Sequence, residues 1–163
     1  STLMRSSAAS DVYKRQGFTC FNFKTLKSIP CQGHGFELEK VKPVLFPIDD
    51  LTEEIEFYGE KFIPLERIAQ LERGRLFLDH GEILEKASSE SSLFIARYGN
   101  ERGFLGYKST GAFIAHENGI GIWTPYYQYQ MFDMMNEYMI DYRGLIQKGL
   151  AVSVHDLEVN PYK

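Results

Sequence analysis

The sequence predicts an α+β fold: a small, mainly antiparallel sheet with short helices and one longer C-terminal helix. Two patterns and one bound carry this expectation. The runs Leu93 to Tyr98, Gly103 to Tyr107 and Gly111 to His116 are strand-like and are separated by short Gly/Asn/Ser/Thr connections. Such spacing leaves no room for crossover helices, so the strands form an antiparallel meander. After Thr124-Pro125, the residues Tyr127, Met131, Met134 and Tyr138 recur at helical spacing. Thr124 is a capping residue and Pro125 suits a first helical turn, which predicts a helix from Pro125 to Ile140. Finally, 163 residues, 44% hydrophobic and 25% charged, suit one globular domain that needs no cross-link.

Residues 1–16 are rich in Ser and Ala and show no helical or strand period. They are expected to form a disordered leader ahead of a single α+β domain over 17–163. The stretch Ser6 to Gln16 also resembles a translated adapter remnant, and such a segment takes no part in a fold. Without Arg5, Lys14, Arg15 and Asp11 the net charge becomes -6, against -4 for the whole chain.

Phe18 to Leu26 alternates roughly, as a strand or extended arm would, and Pro30 and Gly33-His34-Gly35 end it. Phe36 to Pro47 is apolar but carries Pro43, which points to an edge strand or a bent extended segment. Asp50 and Glu53 have capping-box spacing, and Leu51, Ile55 and Tyr58 fall on one helical face, so a short helix ending at Gly59 is expected. A second short helix begins at Pro64 and stops near Gly74. Beyond the long helix, Asp141 is placed to cap a short helix over 142–148. Leu150 to Val154 alternates as a last strand, and Val159 to Lys163 reads as a tail.

Composition narrows the function classes. No apolar run is long enough to span a bilayer, and no long apolar segment opens the chain, so a cytoplasmic protein without membrane contact is expected. The acidic balance lacks a dense Lys/Arg stretch, which argues against nucleic acid as a partner. Cys20 and Cys31 are too few for a disulfide scaffold and read as reduced thiols. No cofactor is expected.

Chemical motifs are sparse. Gly103 to Thr110 places Tyr107, not glycine, before Lys108, so its backbone cannot wrap a phosphate. Cys31 and His34 are two residues apart and Cys20 precedes them, a partial metal-ligand set that lacks a fourth member such as His80 or His155. Asp79-His80 and His116-Glu117 are acid-base candidates, with the two histidines converging through the fold. Neighbouring residues on a strand point to opposite faces, so neither pair is a dyad by spacing alone. No nucleophile-elbow, zinc-protease or dinucleotide motif occurs.

The most unusual local feature is Trp123, Tyr126, Tyr127, Tyr129 and Phe132. Tyr126, Tyr127 and Tyr129 cannot all face one core around a helix, and tyrosine suits protein interfaces. Tyr126, Tyr129 and Phe132, framed by Arg143, are therefore the candidate contact residues.

The segments Asp141-Tyr142-Arg143-Gly144-Leu145-Ile146-Gln147-Lys148-Gly149-Leu150-Ala151 and Val41 to Glu54 resemble a group of uncharacterised small proteins of Bacteroidetes and their phages. The resemblance implies an accessory protein of a mobile element and assigns no residue a role. The expectation is thus a non-enzymatic protein that acts through contact with an unknown protein partner or with itself. A small hydrolase or nuclease with a histidine/carboxylate site is the alternative.

Overall fold

The computed structural model describes residues 19–22, 27–30, 41–72, 87–90, 92–98 and 103–163. Strands and short helices are both present, so the fold is α+β. The described strands form three sheets rather than one. The first has the order β11-β3-β1-β2, with β1 at Thr19–Asn22, β2 at Lys27–Pro30, β3 at Val41–Leu45 and β11 at Val152–Ser153. The second has five strands and the third is a two-stranded hairpin.

The five-stranded sheet contains the meander expected from its local turns. It runs through β6 (Ser88–Glu90), β7 (Leu93–Tyr98), β8 (Gly103–Lys108), β9 (Ala112–Glu117) and β10 (Gly121–Trp123), every pair antiparallel. Register decides which face is buried. Phe94, Tyr107 and Phe113 lie opposite one another, as do Ala96, Leu105 and Ala115, and all six belong to the core. The next row, Arg97, Phe104, His116 and Ile122, stands on the other face.

The helices are shorter than the sequence suggests. α1 (Pro64–Ala69) starts with its proline in the first turn and buries Leu65, Ile68 and Ala69. α2 (Gln128–Glu137) buries Met131 and Met135, one turn apart, against the core. It ends in a Schellman turn: Ile140 N–H bonds Met135 O at 2.9 Å and Met139 N–H bonds Asn136 O at 3.1 Å. Met139 takes the left-handed position, φ 58°, that glycine usually fills. The strain costs about 1–2 kcal/mol. Burying a methionine returns about 1.5–3 kcal/mol, so the buried Met139 is tolerated there.

Four expectations need correction. Ile48–Thr52 is a single 3-10 turn, and the chain then forms β4 (Ile55–Phe57) and β5 (Glu60–Phe62) instead of a helix. Tyr58 and Gly59 both have positive φ, 49° and 80°, which matches the twist of a two-residue hairpin. Pro43 lies in an interior strand, opposite Cys20 of β1. It is tolerated because β11 pairs only with Val44 and Leu45, leaving Pro43 at an edge on that side. The longest helix among the described residues, α2, does not close the chain, and residues 142–148 form turns rather than a helix.

The presumed tail is core. Tyr162 is fully buried, donates its hydroxyl to Val44 O at 2.6 Å, and packs its ring on Phe46 and Phe57. Its carbonyl accepts from Tyr58 N–H, tying the end of the described chain to the β4-β5 turn. The expected leader, 1–16, lies outside the described residues.

Candidate functional site

A cleft of about 450 Å³ opens where β3, the β4-β5 hairpin and the C-terminal segment meet. Its apolar lining is Phe46, Ile55, Val154 and Leu157. Its polar lining is supplied by Asp50, Glu54, Glu56 and Lys61 from one side and His155, Asn160 and Lys163 from the other.

The parallel pairing of β11 with β3 brings these sides together. After β11 the chain makes a 3-10 turn over Val154–Asp156, capped by Ser153 Oγ accepting from His155 N–H at 3.1 Å. That turn delivers His155 Nε2 to within 2.7 Å of Asp50 Oδ2. Asn160 then donates to Glu56 O at 3.0 Å and accepts from Tyr162 N–H at 2.9 Å. Lys163 reaches Glu56 at 3.1 Å. A buried tyrosine and an asparagine thus hold the C-terminal wall in place.

The pair Asp50–His155 is asymmetric. The carboxylate is nearly buried and the imidazole largely exposed, with side-chain exposures of 12% and 61%. Burial pushes the Asp50 carboxyl above its ordinary range, and the hydrogen bond and charge of His155 pull it back. Asp49 and Glu53 add to the rise through like-charge repulsion. A neutral ring that donates from Nε2 to Asp50 leaves Nδ1 as an acceptor. The pair can orient a proton acceptor at the cleft, the geometry that general-base chemistry requires.

Sequence reading singled out His155 only as a fourth metal ligand and Asp50 only as a cap. Their separation of 105 residues explains why. The signal that was present is Asn160-Pro161-Tyr162, a turn dipeptide followed by an aromatic that needs a partner.

The other candidates are placed as follows. His116 is half-buried on the outer face of the five-stranded sheet, its ring stacked on Phe104 with centroids 5.1 Å apart. Glu117 follows on β9, opposite Gly103 and Gly121. Asp79, His80, Cys31 and His34 lie outside the described residues, and Cys20 is described only as part of β1. Among the described residues no group of three or more His, Cys, Asp or Glu is positioned to hold a metal.

Of the contact candidates, Tyr129 is 82% exposed and Tyr126 64%. Ile120 and Ile122, earlier in the same ten-residue stretch, are 73% and 67% exposed. Arg143 is exposed and lies over the Tyr142 ring. Phe132 instead turns inward, packing on Phe113, Tyr107 and Tyr142 with centroids 5.2, 6.3 and 5.3 Å away. α2 therefore divides its aromatics between its two faces.

No family model, curated protein or solved structure matches this chain. Among the described residues no helix is long and apolar enough to cross a membrane.

Proposed function

We propose that the chain acts in the cytoplasm as a non-enzymatic accessory protein of a mobile element, through contact with a protein surface, in the first instance a second copy of itself. The observation that carries this reading is the run of exposed apolar side chains Ile120, Ile122, Tyr126 and Tyr129. Single exposed apolar residues are ordinary, but four large ones within ten residues are costly to leave in water. Tyrosine offers wide contact area with little rotamer freedom to lose on binding. Asp133 and Glu137, exposed on the same helix, favour a protein over a nucleic acid.

Light scattering across micromolar concentrations tests the reading. The mass should rise toward that of a dimer and fall back to one chain in the Tyr126→Ala/Tyr129→Ala double variant. A single-chain mass at every concentration would remove self-association. Both side chains are exposed, so the double variant should keep its fold.

A second reading, a small hydrolase or nuclease with a histidine/carboxylate site, draws support from Asp50–His155. No serine, threonine or cysteine is among the described residues lining that cleft, so water is the nucleophile this reading requires.

A further inference from the structure

We propose that the cleft beside Asp50 and His155 binds a small zwitterionic ligand with an apolar body, of the amino-acid or dipeptide class. The inference is independent of the contact surface at Ile120, Ile122, Tyr126 and Tyr129. Three features support it: the size of the cleft, its floor, and the charges its internal pairing leaves over.

The volume of about 450 Å³ lies in the range of small-molecule sites, roughly 300–1,000 Å³. Phe46, Ile55 and Val154 are buried core residues whose edges form the floor, and Leu157 is half-buried beside them. An apolar body placed there gains from leaving water.

The charged groups are partly spent on one another. Asp50 pairs with His155 and Glu56 with Lys163. Glu54 and Lys61 remain, both exposed, and neither has an ion-pair partner among the described residues. Lys61 lies directly across the hairpin from Glu56. Glu54 lies two residues before Glu56, and all three line the cleft. One carboxylate and one ammonium are thus left over in the same cleft. Each is open to a ligand ion of opposite sign, and a zwitterion can engage both at once.

The test is an NMR titration of the isotopically labelled full chain with the dipeptide Leu-Phe, in both charged and capped forms. The free dipeptide should give saturable shifts at Leu157 and Asn160 and leave Tyr129 unmoved. For a ligand of this size the Kd should fall at about 10 μM to 1 mM. N-acetylation removes its ammonium and C-amidation its carboxylate, and each should weaken binding about tenfold. Glu54→Gln and Lys61→Ala should each weaken the free dipeptide similarly. The capped ligands probe wild-type protein, so the result survives a variant that fails to fold. No saturable shift with the free dipeptide would overturn the proposal. So would equal binding of the free and capped forms, or shifts confined to residues outside the cleft.

Discussion

Asp141 and Asp50 are both buried carboxylates, yet the fold uses them differently. Asp141 is occupied on both oxygens: Leu145 N–H donates to one at 2.7 Å and Ile146 N–H to the other at 2.8 Å. Its own N–H bonds Phe46 O at 2.8 Å, so it joins the turns after α2 to the end of β3. Glu72, almost wholly enclosed, plays a similar part by accepting from Tyr127 N–H at 2.8 Å at the start of α2. Asp50 bonds the exposed imidazole of His155 and borders a cleft of about 450 Å³. A carboxylate that satisfies backbone donors is an architectural part. One held against its own desolvation, beside a cavity, is a candidate for a site.

The comparison breaks first at Asp141. Asp141→Ala strands two part-buried N–H groups, each costing up to roughly 1–3 kcal/mol where water cannot take the carboxylate's place. The variant should lose about 2–4 kcal/mol of stability, read as a lower urea midpoint at unchanged slope. Asp141→Asn keeps one acceptor and should fall between. A loss under about 0.5 kcal/mol would mean that water replaces the carboxylate, and Asp141 would no longer count as architectural.

How far this division was legible in the sequence depends on contact range. The meander was readable because β7, β8 and β9 pair through short turns and each carries its own pattern of alternation. Pro64 and the stripe Tyr127, Met131, Met134 and Tyr138 likewise announce helices from local chemistry, although the residues α2 buries are Met131 and Met135. The β4-β5 hairpin was not readable. Leu51, Ile55 and Tyr58 fit a helical period, and the turn that overrules it places tyrosine where asparagine or glycine is usual. Tyr162 sits in a polar stretch with no period, and only its contacts with Val44, Phe46 and Phe57 reveal it as core. The Asp50–His155 pair depends on the register of β11 against β3, a long-range pairing that no local window contains.

Tyr107 offers an intermediate case between the two carboxylates. It is buried at the centre of the five-stranded sheet, against Phe94, Phe113 and Phe132. Among the described residues its hydroxyl has no hydrogen-bond partner. Burial, with a smaller contribution from Tyr142, pushes its pKa up to about 12. Tyr107→Phe removes the orphaned group while keeping the ring, and should stabilise the chain by about 1 kcal/mol. Thermal unfolding measures this as a raised Tm. A lower Tm would show that the hydroxyl has a partner such as a bound water, making Tyr107 resemble Asp141.

The smallest effect is expected at Asp50, and its sign is the informative part. Because burial raises the folded-state pKa above the ordinary 3.8, the folded chain holds this proton more tightly than the unfolded chain does. Asp50 therefore costs stability at neutral pH. That cost fades as pH falls through the raised folded pKa toward 3.8 and is gone below both values. Asp50→Asn should be as stable as wild type or more stable at pH 7, by up to about 1 kcal/mol, with the advantage shrinking on acidification. Comparing the two proteins at each pH removes most of the titration of Asp49, Glu53, Glu54 and Glu56, which both carry. His155 acts in the opposite sense, since its hydrogen bond and charge favour ionised Asp50, but burial is the larger cause. A variant clearly less stable at pH 7 would show that the bond to His155 outweighs desolvation. Asp50 would then belong with Asp141 among the parts that hold the fold, and the cleft would lose its mark of a site.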